Sequence, residues 1–198
     1  MYTPFELSRI IQEHFMNIEL KQYETVESTN DIAKRLAEEG APEGTIVIAE
    51  EQTGGRGRKG DYWHSPKGGL WFSLILRPDV GPQKSIILPL LAGMAIHRTL
   101  KKYGVDSRIK LPNDVMVGGK KLCGILCENR VAGERVKFVV VGIGLNVKND
   151  TPDVGIALKD LIIRPPDVLD LLYQILKEFM VEYQQFTSLD YYFGDGFQ

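Results

Sequence analysis

Hydrophobic and polar positions fall into short blocks of two periods along the chain. Thr3-Pro4-Phe5-Glu6 reads as a capped helix start, with Thr3 as N-cap and Glu6 closing a capping box, and predicts a helix to about residue 15. Residues 18–26 predict a strand. Ser28-Thr29-Asn30-Asp31 caps a second helix that places Ile32, Ala33 and Leu36 on one face and stops at Gly40. Residues 45–49 are a β-branched strand, residues 52–69 a long glycine-rich loop, and residues 70–76 another strand. Residues 86–102 are apolar almost all round, which predicts a buried helix ended by Gly104. Short strands at 108–110 and 115–117 flank a Pro-Asn-Asp turn. Gly118-Gly119 marks one hairpin and Ala132-Gly133-Glu134 turns a second, between strands 122–129 and 135–141. Residues 166–187 predict a long amphipathic helix with Val168, Leu172, Ile175, Phe179, Tyr183 and Phe186 as its stripe. Strands paired by hairpins with helices between them define an α+β class, a mixed but mainly antiparallel sheet packed with helices in one domain over 1–198.

Composition narrows the function classes. Lys and Arg number 24 against 26 Asp and Glu, a formal charge of −2. That balance argues against a surface built for nucleic acid or an anionic membrane. Cys123 and Cys127 stand at a C-x-x-x-C spacing unsuited to a redox or zinc pair, so a reduced, cytoplasmic setting is the expectation. His14, His64 and His97 are scattered and form no metal cluster. The N-terminus lacks a signal-peptide pattern, and the longest charge-free apolar run, residues 85–97, is too short to span a bilayer.

Three segments carry candidate chemistry. The first, Gly54-Gly55-Arg56-Gly57-Arg58-Lys59-Gly60, contains G-x-G-x-x-G, but a strand follows where a dinucleotide fingerprint needs a helix. A Walker A loop also fails, because no Lys-Ser/Thr follows Gly60. What remains is three cations among glycines, a composition that suits capture of a small anion and equally describes a solvated basic loop. The second segment places Lys110 at a strand end before the rigid Pro112-Asn113-Asp114 turn. There it could neutralise developing charge, or simply be a surface lysine beside a turn-capping Asp114. In the third, Gly142 and Gly144 interrupt an apolar strand just before Asn146, which a close ligand approach or a β-bulge would explain.

Taken together, these segments resemble the biotin–protein ligase family. The matching stretches are Ser28-Thr29-Asn30, Gln52-Thr53, Gly55 to Gly60, Trp63-x-Ser65-Pro66, Lys110-x-Pro112-Asn113-Asp114, Lys120-Lys121-Leu122-x-Gly124-Ile125 and Gly142-Ile143-Gly144-Leu145-Asn146. The resemblance implies the class II aminoacyl-tRNA-synthetase-like fold of biotin and lipoate ligase catalytic domains. It implies a ligase that joins biotin to ATP as biotinyl-5′-AMP, with Mg2+ accompanying the nucleotide, and then transfers biotin to a lysine of a biotin carboxyl carrier protein. By resemblance, Lys110, Arg56 and Arg58 are the catalytic residues. Ser28, Thr29, Gln52, Gly55, Arg56, Lys110, Gly124 and Gly142 meet biotin. Arg56, Arg58, Trp63, Asn113, Lys121 and Asn146 meet the nucleotide.

Leu111 departs from the family, which usually has Trp after the lysine. Some relatives carry an N-terminal helix-turn-helix, for which residues before 20 leave no room, and many carry a C-terminal SH3-like barrel, for which the residues after the last helix are too few. The expectation is therefore a catalytic core with no DNA-binding role. An apolar edge strand such as 135–141 could pair two copies into a homodimer. A lipoate or octanoate ligase of the same fold, and a non-catalytic biotin-binding relative, are the competing readings. The first typically shows an Arg-Arg, glycines and a histidine that this loop lacks. The second would have no need of Lys110, Arg56 and Arg58.

Overall fold

In the computed structural model, residues 19–193 are described, with side chains to residue 188. The helix expected over 3–15 lies outside the described residues. Seven strands form one sheet: β1 (Leu20–Val26), β2 (Ile46–Gln52), β3 (Leu70–Leu76), β4 (Arg108–Lys110), β5 (Asp114–Val117), β6 (Lys120–Ala132) and β7 (Arg135–Leu145). Their order is β1-β2-β3-β7-β6-β5-β4, so the edges are β1 and β4; residues 135–141, expected as an edge strand that could pair two copies, belong to β7 in the interior of the sheet, between β3 and β6. Only β1 and β2 pair in parallel; every other neighbour is antiparallel. Helix α1 (Thr29–Glu38) is the crossover that a parallel pair needs. Helices α2 (Pro82–Ser85), α3 (Leu88–Lys102) and α4 (Val168–Phe193) complete the chain. The observed class is the α+β mixed sheet expected from the pattern.

The two faces of the sheet are covered unequally. On one, β3 contributes Leu70, Phe72, Leu74 and Leu76, and β7 contributes Val139, Val141, Ile143 and Leu145. These pack against Leu88, Ala92, Ile96 and Leu100 of α3 and Leu172, Ile175 and Phe179 of α4. Because strand side chains alternate, the intervening residues face the other way. There Val47, Ile75, Phe138 and Val140 pack against Ala33 and Ala37 of α1 alone. Among the described residues no other helix packs on this face, and beyond the N-terminus of α1 the sheet is left to the loops. The site lies there.

Several boundaries moved for physical reasons. The helix expected from residue 86 starts at Leu88, because Pro89 fits only the first turn; Ile86 is left 76% exposed. Gly142 and Gly144 do not make a bulge: β7 runs through both, in unbroken register with β3. Gly118 and Gly119 both take positive φ, 56° and 82°, as a tight hairpin turn requires. Ser28 occupies the N-cap of α1 but makes no side-chain capping bond.

Phe72 is 1% exposed between sheet and helices. Phe72→Ala should cost about 3–5 kcal/mol of stability. Urea unfolding would show this as a lower midpoint at unchanged slope; a midpoint equal to wild type would contradict the packing described.

Candidate active site

The floor of the site is a patch of sheet from which side chains are missing. Gly124 pairs with Gly144, which pairs with Trp71; Leu126 pairs with Gly142, which pairs with Ser73. Both glycines on β7 are required by close neighbours. A Cβ on Gly142 would lie 2.1 Å from Asn30 Oδ1, and one on Gly144 would lie 2.2 Å from Trp63 Nε1.

Around this floor, the start of α1 and the end of β2 build a buried polar network. Gln52 Oε1 accepts from the Thr29 backbone N–H at 2.8 Å and from the Thr29 hydroxyl at 3.1 Å. Gln52 thereby satisfies a free N–H of the first helical turn that Ser28 does not cap. Gln52 Nε2 donates to Ser65 Oγ at 2.9 Å. Ser73 Oγ stands 2.8 Å from Thr29 Oγ1 and 2.6 Å from Asn30 Oδ1. A lone serine in an otherwise apolar buried strand was the sequence signal for this network, and Asn30 and Ser73 were the members that pattern reasoning did not place. The network holds amide and hydroxyl groups at fixed positions, as recognition of a polar heterocycle needs.

Two cavities share a wall. The first, about 40 Å3, is lined by Ser28, Thr29, Asn30, Gln52, Arg56, Gly124, Gly142 and Gly144 among others. The second, about 470 Å3, is lined by Arg58, Lys59, Asp61, Tyr62, His64, Asp114, Asn146, Val154 and neighbours. Gly57, Trp63, Asn113 and Lys121 line both. Lys121 Nζ pairs with Asp114 Oδ1 at 2.7 Å and stands 5.0 Å from the centre of the Trp63 ring, a cation–π distance. Trp63 Nε1 is buried without a hydrogen-bond partner. Such a group is costly unless something supplies an acceptor. The indole lies over the glycine floor, against Gly144 and Gly124.

The loop between β2 and β3 is a small hairpin over this wall. Trp63 N donates to Gly55 O at 2.8 Å and Gly57 N to Asp61 O at 2.7 Å, with Arg56 bridging to Tyr62. At its tip Lys59 takes a φ of 60°, a strained conformation for a side-chain-bearing residue. Arg58 Nη1 is 3.5 Å from Asn113 Oδ1. Arg56 donates with both terminal nitrogens to Asp31, at 2.6 Å through Nη1. The bidentate arginine holds the Asp31 carboxyl below the usual carboxylate range, and Asp31 in turn pushes Arg56 up.

Not every expected residue reaches a cavity. Lys110, exposed at the end of β4, is absent from both linings, although Asn113 and Asp114 beside it are present. Gly55 packs on Ser65 and the Trp63 carbonyl instead of lining the first cavity. The remaining expected residues line one cavity or both. Burial pushes the Cys123 and Cys127 thiols up, so neither offers a nucleophile at neutral pH. Among the described residues no group of three His, Cys, Asp or Glu could cage a metal. Asp61 and Asp114 are the carboxylates of the second cavity. That sparse donor set fits a magnesium ion that arrives on a triphosphate and keeps its waters.

Sheet order, glycine floor and cation-bearing hairpin together define the class. The Biotin/lipoate A/B protein ligase family model matches residues 23–146, and the chain belongs to that family. It is 42% identical over 153 residues to the Bacillus subtilis bifunctional ligase/repressor BirA, covering 76% of this chain and 47% of that protein. It is 40% identical over 132 residues to the biotin–[acetyl-CoA-carboxylase] ligase of Paracoccus denitrificans, covering 65% and 54%. The chain thus spans about half the length of the curated relatives it matches. The Aquifex aeolicus biotin protein ligase, solved with biotin and ATP, superposes with a TM-score of 0.73 at 31% identity over 88% of this chain and 73% of that one. The Leishmania major enzyme with biotinyl-5-AMP gives 0.73 at 25% identity, covering 85% and 76%.

Gly144→Ala should displace Trp63 from the floor. Of the two tryptophans, Trp71 is fully buried, so iodide quenching reports chiefly on Trp63. Quenching should rise in the variant; an unchanged quenching curve would contradict the close approach.

Proposed function

We propose that this chain activates biotin with ATP to form biotinyl-5′-AMP and then transfers biotin to a lysine of a biotin carboxyl carrier protein. The observation that carries the proposal is the shared wall: a small cavity edged by a buried polar network on a glycine floor adjoins a larger cavity edged by Arg58, Lys59 and Lys121. Relatives whose structures hold biotin with ATP, or biotinyl-5-AMP, add support.

In the first step a biotin carboxylate oxygen attacks the α-phosphorus of ATP, and the bond to pyrophosphate breaks. Two anions must approach, so fixed cations lower the barrier by offsetting repulsion and the charge that grows in the transition state. Arg58 and Lys121 line the second cavity, which supports giving them this role. Lys110 carries a flexible four-carbon stem from an exposed position and would swing inward to the carboxylate. Magnesium would add charge neutralisation on the phosphates. In the second step the acceptor amine attacks the activated carbonyl, loses a proton, and AMP leaves. The 52–69 loop excludes water meanwhile, since the mixed anhydride hydrolyses readily.

Incubation with biotin and MgATP, followed by native mass spectrometry, should reveal a retained biotinyl-AMP adduct that octanoate or lipoate does not replace. Biotin bound without adenylate would overturn the catalytic reading. Lys110→Ala should abolish biotin-dependent pyrophosphate exchange with the fold intact; normal exchange would remove Lys110 from the mechanism. Arg58→Ala should leak biotinyl-AMP on the order of tenfold faster, the loss of one charge-assisted contact. Wild-type retention would refute its assignment.

A further inference from the structure

The resemblance gives Arg56 and Arg58 the same task, yet the structure treats them differently. Arg56 spends both terminal nitrogens on Asp31, in the first turn of α1, and its Nη2 is also 3.7 Å from Glu128 Oε2 on β6. Lys34 spans the same two acids, at 3.1 Å from Asp31 and 2.9 Å from Glu128. Asn30 Nδ2 donates to Glu128 Oε2 at 2.8 Å. Two cations and two anions close into a neutral network that joins helix, loop and sheet. The side chains of Arg56 and Asp31 are only 29% and 40% exposed, so an ion pair there is less screened than at the open surface. By contrast, among the described residues no carboxylate pairs with Arg58 or Lys59.

We infer that Asp31 and Arg56 form a clasp that positions the Gly54–Gly60 loop over the site, leaving Arg58 as the cation of that loop that faces the reacting anions. Arg56 is a positioning residue, and Asp31 is its partner in that role. An arginine already forked onto a carboxylate cannot turn to a ligand anion without stranding Asp31 beside Glu128, two acids then facing each other with Lys34 alone to offset them. The clasp grips the stem of the hairpin, at the Arg56–Tyr62 bridge, while at the tip Arg58 makes the long 3.5 Å contact to Asn113 and no ion pair among the described residues. Retention of the adenylate then depends on Asp31, which touches no reacting atom. That consequence rests on the activity proposed above; the clasp itself does not.

Amide hydrogen exchange across residues 55–63, in the chain without ligand, tests the clasp directly. Asp31→Ala and Arg56→Ala should each speed exchange there about tenfold, the double variant no more than either single, and Asp31→Glu should restore protection. In turnover, Asp31→Ala should raise the biotin KM and the biotinyl-AMP release rate about tenfold each, with kcat for pyrophosphate exchange within about twofold of wild type. Asp31→Asn, which keeps the side-chain shape, should behave as Asp31→Ala. Unchanged loop exchange in Asp31→Ala, or additive effects in the double variant, overturns the clasp. So does Arg56→Ala abolishing pyrophosphate exchange that Asp31→Ala retains, because Arg56 would then act on the anion itself. If wild type shows no biotin-dependent exchange at all, the proposed activity fails, and the exchange of residues 55–63 still decides the clasp.

Discussion

Close approach to a bare stretch of β-sheet is the constraint on which the site depends. Gly124, Gly142 and Gly144 continue the row that, under α1, is filled by Phe138 and Val140. Where side chains are present the face is covered by a helix, and where they are missing Asn30 and Trp63 come down onto the backbone. Glycine weakens a strand that has nothing to pack. Here the loss is offset because β7 is flanked by β3 and β6 along its length, with apolar packing on its opposite face. The sheet can carry three unsubstituted positions because its stability comes from the other side.

The same division explains how a chain of net charge −2 holds an anion-directed site. Charge is sorted locally. Arg56, Lys34, Asp31 and Glu128 cancel one another in a network that fixes geometry, and Lys121 is shared between Asp114 and the Trp63 ring. Arg58 and Lys59, at the tip of the hairpin, pair with no carboxylate among the described residues.

Trp63 links the two cavities mechanically. Its ring covers the glycine floor of the small cavity, walls the large one, and receives the Lys121 ammonium on its face. A ligand that displaces the ring changes the wall of the neighbouring cavity and the environment of Lys121 at the same time. The polar network beneath it, from Ser73 through Thr29 to Gln52, is held by its own hydrogen bonds and makes none to the Trp63 ring.

Local chemistry in the sequence was enough for most of the elements among the described residues and for the position of the cavity-lining loops. Period-two and period-3.6 patterns, Pro89 at a helix start and paired glycines at turns are short-range signals, and strand β3 and the hairpins followed from them. The candidate segments, together with the stretches that carry the family resemblance, also marked out most of the cavity linings. What the sequence could not determine was pairing. Asp31 meets Arg56 across 25 positions and Asn30 meets Glu128 across 98, and nothing in either neighbourhood says so. Lys110 ends its strand as expected, yet its direction depends on a turn and a neighbouring strand. That Arg56, and not Arg58, pairs with Asp31 follows from the parallel crossover, which brings the start of α1 beside β6. Ion pairs and close contacts depend on where distant segments meet, and only the tertiary structure sets that.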